Sequence, residues 1–172
     1  DHEVAETAIH AALTGHLVFS TLHTNSAVGG FARLVDLGID PRMIGSAFNI
    51  ILGQRLVRKL CDVCKKERQT TPEEHTLIQR IMGKPVAIDS LCDAVGCEAC
   101  GFSGYKGRMG VVEGIRVDDA VEEALLTDPR ESHILEVAQS QDIPSMQQDG
   151  IMKVLAGITS LDELSRVLDL HT

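Results

Sequence analysis

Two Cys-x-x-Cys pairs constrain this chain more than any other feature: Cys61 with Cys64, and Cys97 with Cys100. Two thiolates three residues apart can turn toward one centre, and a second pair completes the tetrahedron of a closed zinc site. We therefore predict one structural Zn²⁺ ion bound by these four cysteines. The intervening loop is longer than in the most familiar zinc ribbons. An iron–sulfur or rubredoxin-like site would use the same ligands, and four unrelated buried cysteines are the other alternative.

The wider sequence favours metal binding over disulfide formation. No export signal is recognisable, and no apolar run reaches the roughly 20 residues of a membrane span. We therefore expect a cytoplasmic, reducing environment, in which paired cysteines bind metal. The fifth cysteine, Cys92, could substitute as a ligand, but we expect an ordinary thiol. Because four protein ligands leave no open position, the predicted ion is structural and not catalytic.

The charge of the chain limits its partners. The net charge is −9, and residues 101–172 hold 13 acidic and 6 basic residues. Such a surface repels phosphate backbones, which disfavours nucleic acid as a partner. A zinc ribbon that binds nucleic acid is disfavoured for the same reason.

The hydrophobic periodicity predicts an α/β fold. We expect a helix capped by Asp1, a short buried strand over residues 16–21, and a helix that Asn25 or Ser26 caps. A third helix begins at Asp40-Pro41 and extends toward Ile51. The further predictions are strands over 54–60 and 108–117, a helix opening at Thr71-Pro72, and three or four short helices over 118–170. Composition divides the chain into segments 1–60, 61–107 and 108–172.

Polar side chains follow the predicted strand over residues 16–21. Thr21, His23, Thr24 and Asn25 could all reach one phosphate or water molecule there. The alternative is that these residues only cap the following helix. Their spacing leaves both interpretations open.

At this point the sequence resembles a known family. Residues 14–25 (TGHLVFSTLHTN) resemble the His box of the secretion ATPase superfamily, which drives type II secretion and type IV pilus assembly. The resemblance continues through residues 54–61 (QRLVRKLC), 104–110 (GYKGRMG), Glu113 and 148–150 (QDG). It implies the C-terminal part of a RecA-like ATPase domain with an inserted tetracysteine zinc subdomain and C-terminal helices. The tetracysteine module indicates the assembly and export branch rather than the retraction ATPases.

The resemblance also implies an activity and partners. The intact protein would be a cytoplasmic homo-hexamer that hydrolyses ATP with Mg²⁺ and moves inner-membrane secretion or pilus platform proteins. Asp1 resembles the last residue of the Walker B segment, and the P-loop pattern GxxxxGK[ST] is absent from these 172 residues. We therefore expect the P-loop upstream and no ATP hydrolysis by this segment alone. An autonomous structural zinc module for protein interaction, without catalysis, is the alternative.

The resemblance assigns candidate roles to five residues. His23 would lie near the γ-phosphate or the attacking water, and Thr21 and Thr24 would orient it. Arg33 and Arg55 would contact phosphate or sense charge at a subunit interface, since the guanidinium fork suits phosphate oxygens. Thus His23, Thr21 and Arg55 are predicted as catalytic, and Thr24 and Arg33 as nucleotide-binding.

Arg58 is a third candidate for contact with phosphate or for sensing charge at a subunit interface, with a solvated side chain as the alternative that we expect for both Arg58 and Lys59. These basic residues alternate with apolar residues on the predicted strand over 54–60.

Overall fold

The computed structural model describes residues 2–170, so the predicted cap at Asp1 lies outside the described residues. Within this range the chain forms eight α-helices and four β-strands, which confirms the α/β class. The elements are α1 (His2–Leu13), α2 (Ala27–Asp36), α3 (Pro41–Ala47), β1 (Ile50–Leu60), β2 (Lys66–Gln69), α4 (Pro72–Met82), β3 (Ser90–Asp93), β4 (Tyr105–Arg116), α5 (Asp119–Thr127), α6 (Glu131–Ala138), α7 (Met146–Leu155) and α8 (Leu161–Val167). No helix in this range is both long enough and apolar enough to cross a membrane.

The chain folds into two compact units. The first unit combines Asp1–Gly53 with Glu113–Ile143, and the second combines Gln54–Val112 with Pro144–Thr172. The boundaries of these units differ from those of the segments 1–60, 61–107 and 108–172 that the sequence suggested. The three segments stay a prediction.

Local capping signals begin α2, α3 and α4 where the sequence predicts them. Ser26 caps α2, with its hydroxyl accepting the N–H of Gly29 at 3.1 Å. Thr71 and Glu74 form a reciprocal capping box at the start of α4, which ends at Gly83 in the left-handed conformation. Such caps bond residues that are three positions apart, so the local sequence suffices to predict them.

The predicted buried strand over residues 16–21 is wrong. These residues adopt no regular structure, and the side chains of Leu17 and Phe19 are 79% and 89% exposed. A buried strand needs neighbouring strands to bond its backbone groups. Over residues 2–170 the two sheets contain only β1 with β4 and β2 with β3.

The third helix is shorter than predicted. It ends at Ala47, and Phe48 leaves the helical conformation with φ −102° and ψ 136°. Ile50 and Ile51 instead begin β1, where Ile51 is buried and Ile50 is exposed. Burial alternates along the start of β1, as it does in a half-buried strand, and the β-branched side chains of Ile50 and Ile51 suit a strand better than a helix.

The core of the first unit is aliphatic apart from one buried phenylalanine. Helix α2 packs closely against β1, since a Cβ atom placed on Gly30 would lie 3.0 Å from Cγ2 of Ile51. At the edge of this unit, the N–H of Val117 donates to the carbonyl of Asn49 at 2.9 Å. The largest fully buried side chains of this unit are Phe31, Ile44, Leu125 and Ile134.

The second unit contains the cysteines and has its own core. Strands β2 and β3 pair antiparallel, with Lys66 opposite Asp93 and Gln69 opposite Ser90. Beyond β1, the N–H of Cys61 donates to the carbonyl of Gly104 at 2.9 Å. The largest fully buried apolar side chains are Val57, Ile78, Leu91, Val111, Ile151, Leu164 and Leu170.

Candidate metal centre and histidine segment

The four predicted cysteines converge on one point in the second unit. Their Sγ atoms all lie within 4.8 Å of one another, and they form the one such cluster of possible metal ligands in the range 2–170. The Sγ–Sγ distances are 4.0 Å for Cys61 to Cys97, 3.9 Å for Cys64 to Cys100 and 3.8 Å for Cys97 to Cys100. The structure thus brings together side chains that are 36 residues apart.

These distances fit a single tetrahedral ion. With metal–sulfur bonds of about 2.3 Å, the edge of a tetrathiolate tetrahedron is roughly 3.8 Å. A disulfide would hold two sulfur atoms at about 2.05 Å, and all five cysteines are free thiols. A multi-iron cluster would need room between the sulfur atoms that these separations do not leave. The donor set therefore fits Zn²⁺, and equally a lone iron ion of the rubredoxin kind.

Two tight turns present the sulfur atoms. Cys61 follows β1, and its carbonyl accepts the N–H groups of Cys64 and Lys65 at 3.2 and 2.9 Å. Cys97 precedes a single 3₁₀ turn, Glu98–Cys100, whose last residue is Cys100 and which Gly101 caps with φ 59°. Because each turn reverses the chain within three residues, both sulfur atoms of a pair face the same side.

Gly104 permits the close approach of two chain segments beside the second turn. It adopts φ +77°, and a Cβ atom there would lie 2.6 Å from Cβ of Ala94. A side chain at this position would therefore force the backbone near the cysteines to shift.

The surroundings of the cluster act in opposite directions on the pKa values of Cys100 and Cys64. The backbone N–H groups of Cys97 and Gly104 donate to Sγ of Cys100 at 3.2 and 3.3 Å. The first of these bonds is the largest cause that lowers the pKa of Cys100 to about 6. Burial raises the pKa of Cys64 to about 12. The Cys100 thiol therefore ionises readily, whereas the Cys64 thiol needs the charge of a metal ion to do so.

Cys92 lies on β3 and is not part of the cluster of four. Its Sγ atom lies 3.2 Å from the position that a Cβ atom on Gly157 would take. The expectation that Cys92 is an ordinary thiol therefore agrees with its place in the fold.

The residues of the histidine segment lie together in the first unit. Thr21 and His23 are exposed and Thr24 is half-buried, with its hydroxyl donating to the carbonyl of Ser26 at 3.0 Å. Leu22 packs against the core of this unit. The exposed imidazole of His23 therefore lies between two anchored neighbours, where it is available to a ligand.

The two candidate arginines lie on different elements. Arg33 is an exposed residue in the last turn of α2, in the first unit. Arg55 is a half-buried residue of β1, in the second unit. Their predicted roles stay predictions.

Arg58 has a role that its local sequence does not reveal. The expected solvated side chain is only 42% exposed, and its guanidinium donates to the buried carboxylate of Glu163 and lies 4.1 Å from the centre of the Tyr105 ring. The Thr159 hydroxyl donates to the Arg58 carbonyl at 2.8 Å. No local signal could have revealed this, because the two charged residues are 105 positions apart.

Several known proteins resemble this chain over nearly all its length. It is 44% identical over 168 residues to the type II secretion system protein E of Aeromonas hydrophila, covering 97% of this chain and 32% of that protein. It is 40% identical over 172 residues to the type IV pilus assembly ATPase PilB of Thermus thermophilus, covering 98% of this chain and 19% of that protein. The chain thus spans about a third or less of these relatives.

Two solved structures share the fold. The pilus retraction motor PilT with bound ADP matches with a TM-score of 0.60 at 22% identity, over 96% of this chain and 36% of that one. The ATPase DotB of Legionella pneumophila matches with a TM-score of 0.59 at 20% identity, over 96% of this chain and 35% of that one. At these identities the likeness establishes the fold alone.

The family comparison covers the first unit, the cysteine cluster and nearly all of the C-terminal helices. The family described as type II/IV secretion system protein matches residues 1–166. This chain therefore belongs to the type II/IV secretion system protein family.

Proposed function

We propose that this chain is the metal-bearing, C-terminal part of an ATPase that powers type II protein secretion or type IV pilus assembly. The observation that carries the proposal is the cluster of four cysteine sulfur atoms, within 4.8 Å of one another, in a chain of this family. Relatives from both systems match almost all of the chain. Type II secretion and type IV pilus assembly are therefore both candidate systems for the whole protein.

The proposed ion is structural Zn²⁺, bound by Cys61, Cys64, Cys97 and Cys100. When bound, it would neutralise the thiolates and link the two turns, with no position left for a substrate. The polar stretch between the two turns would gain its folding free energy from the ion, on the order of 10 kcal/mol. Metal binding would thus maintain the shape of the second unit.

His23 is the proposed contact to the nucleotide. Its exposed imidazole can donate a hydrogen bond to a γ-phosphate oxygen or to the attacking water, and can sense whether that phosphate is present. Thr21 and Thr24 supply neighbouring hydroxyl groups, and Arg33 and Arg55 supply positive charge for phosphate or for a subunit interface.

The proposal requires residues outside this segment. No P-loop pattern occurs among the 172 residues, so the phosphate cradle, its lysine and the Mg²⁺ ligands would come from the upstream sequence of the whole protein. By itself the segment would not turn over ATP. The whole protein would act as a cytoplasmic hexamer on inner-membrane partners of the secretion or pilus machinery.

The test is Mg²⁺-dependent ATP hydrolysis by the purified full-length protein, together with its zinc content and its oligomeric state by light scattering. We expect turnover, one zinc per chain and a hexamer. His23→Ala should lower kcat by roughly 10²- to 10⁴-fold, the range for losing a group that acts on a proton in the transition state. His10→Ala is the matched control, since His10 is an exposed histidine of α1.

Three outcomes would count against the proposal. A full-length protein with a P-loop and no turnover would contradict the ATPase assignment and favour an autonomous zinc module. Normal kcat in His23→Ala would remove His23 from the reaction. Far less than one metal ion per chain would contradict the structural site.

A further inference from the structure

Glu113 ties strand β4 to the start of helix α2. Its Oε1 atom accepts the N–H of Ala27, the first residue of α2, at 2.8 Å across 86 positions of sequence. The hydroxyl of Ser26 accepts the N–H of Gly29 at the same end. Because the first four N–H groups of a helix have no partner within the helix, these two acceptors fix this end from two directions.

Gly53 on β1 leaves the space that this contact needs. A Cβ atom at Gly53 would lie 2.8 Å from the backbone nitrogen of Ala27, 2.8 Å from Oε1 of Glu113 and 3.0 Å from its Cγ. Neither the backbone nor a hydrogen-bonded carboxylate can move away without breaking the bond. A side chain at this position would therefore separate Glu113 from α2.

The segment held in this way is the one that carries His23. Leu22 is packed against the core of the first unit, and the Thr24 hydroxyl donates to the carbonyl of Ser26. His23 lies between these anchors, and one of them is continuous with the start of α2. The position of the imidazole therefore depends on where Glu113 holds Ala27.

We infer that Glu113 is a positioning residue for His23, and that Gly53 is required for it to act. The inference rests on the proposed function of His23 at the nucleotide. Glu113 would touch neither nucleotide nor water. It would act by fixing the backbone that leads from Leu22 into α2, so that the imidazole reaches the phosphate in one place.

The chemistry of the contact gives a discriminating set of variants. Glu113→Gln retains an oxygen that can accept the N–H of Ala27, whereas Glu113→Ala removes the acceptor. Gly53→Ala places a methyl group between β1 and the same contact, and it keeps the carboxylate of Glu113. Glu136→Ala is the matched control, because Glu136 is an exposed glutamate of α6 in the same unit.

The experiment measures two quantities in the full-length protein: kcat and KM for ATP, and amide hydrogen exchange in residues 22–30. Glu113→Ala and Gly53→Ala should speed exchange at Ala27. They should lower kcat by roughly 10- to 100-fold with a smaller change in KM, as a misplaced catalytic group does. Glu113→Gln should remain within about threefold of the parent, since its amide oxygen can still accept the bond. Glu136→Ala should change neither quantity.

Two results would overturn the inference. Unchanged exchange in residues 22–30 of Glu113→Ala would show that the carboxylate does not hold the segment. If Glu113→Ala speeds exchange but leaves kcat unchanged, while His23→Ala lowers kcat, then Glu113 only caps α2 and does not position His23. Normal turnover in His23→Ala would instead contradict the proposed function. The exchange rates would then still show whether Glu113 holds the start of α2.

Discussion

Arg58 on β1 holds the carboxylate of Glu163 on α8 through its Nε and Nη2 atoms, at 2.8 and 2.5 Å. The Glu163 side chain is 0% exposed. Arg166 donates two further hydrogen bonds to it, at 2.9 and 2.8 Å. A buried carboxylate is costly to desolvate, so it is tolerated only while these partners remain.

Removing one partner should therefore destabilise the protein. We expect Arg58→Ala to lower the free energy of unfolding toward the lower end of roughly 3–5 kcal/mol, because Arg166 still faces the carboxylate. Urea unfolding followed by circular dichroism measures the change. Arg42→Ala is the control: its ion pair with Asp40 is exposed, and its loss should change stability little. Equal effects of the two substitutions would contradict the importance of the Arg58 contact.

The same carboxylate should make stability depend on pH. Burial opposes the ionisation of Glu163, but hydrogen bonds from Arg166 and Arg58 outweigh it and lower its pKa to about 2. A lowered pKa in the folded state means that the stabilisation is complete above the unfolded pKa and is lost as pH falls through the folded one. The loss should therefore occur as the pH falls from about 4.3 to about 2.

The measurement is the free energy of unfolding of the parent and of Glu163→Gln across that window. The variant should be the less stable protein at pH 6, and its stability should fall less steeply with acid. Asp128 titrates in the same window in both proteins, because hydrogen bonds from Arg130 lower its pKa to about 2. Parallel curves would show that Glu163 contributes no pH dependence.

Gly150 on α7 should not tolerate alanine. A Cβ atom there would lie 2.5 Å from Cδ1 and 2.9 Å from Cδ2 of Leu164, a fully buried side chain. Alanine normally improves a helix by about 1 kcal/mol over glycine, but overpacking a core typically costs about 1–3 kcal/mol. We expect a net loss in thermal stability. In a double-mutant cycle, Leu164→Val should relieve it, and strict additivity would rule out the clash.

Metal removal should affect the second unit. Cys61→Ser or Cys97→Ser should release the ion, and chelation should expose residues 61–107 to protease, since metal binding and folding are coupled in such sites. Metal analysis and limited proteolysis with mass spectrometry provide the readouts. Cys92→Ser is the matched control and should retain the ion. Loss of metal in this control would show that the ligand set differs from the cluster of four.

The sequence predicted the features that depend on neighbouring residues. Ser26, Asp40 and Thr71 cap helices because their side chains bond backbone groups two or three positions ahead. The Cys-x-x-Cys spacing likewise predicted that the two sulfur atoms of each pair would face the same side. That the two pairs would meet followed from the four thiolates that a closed zinc site needs. The strand over residues 16–21 failed because a buried strand needs partners that local periodicity cannot supply.

By itself the sequence determined the α/β class, the starts of α2, α3 and α4, the four candidate metal ligands and the family resemblance that the comparisons confirm. Only the tertiary structure decided that Arg58 pairs with a buried Glu163, that Glu113 caps α2, and that Gly53 must lack a side chain. The physical reason is distance along the chain. These contacts join residues 26 to 105 positions apart, and only the packing of each folded unit brings such groups into contact.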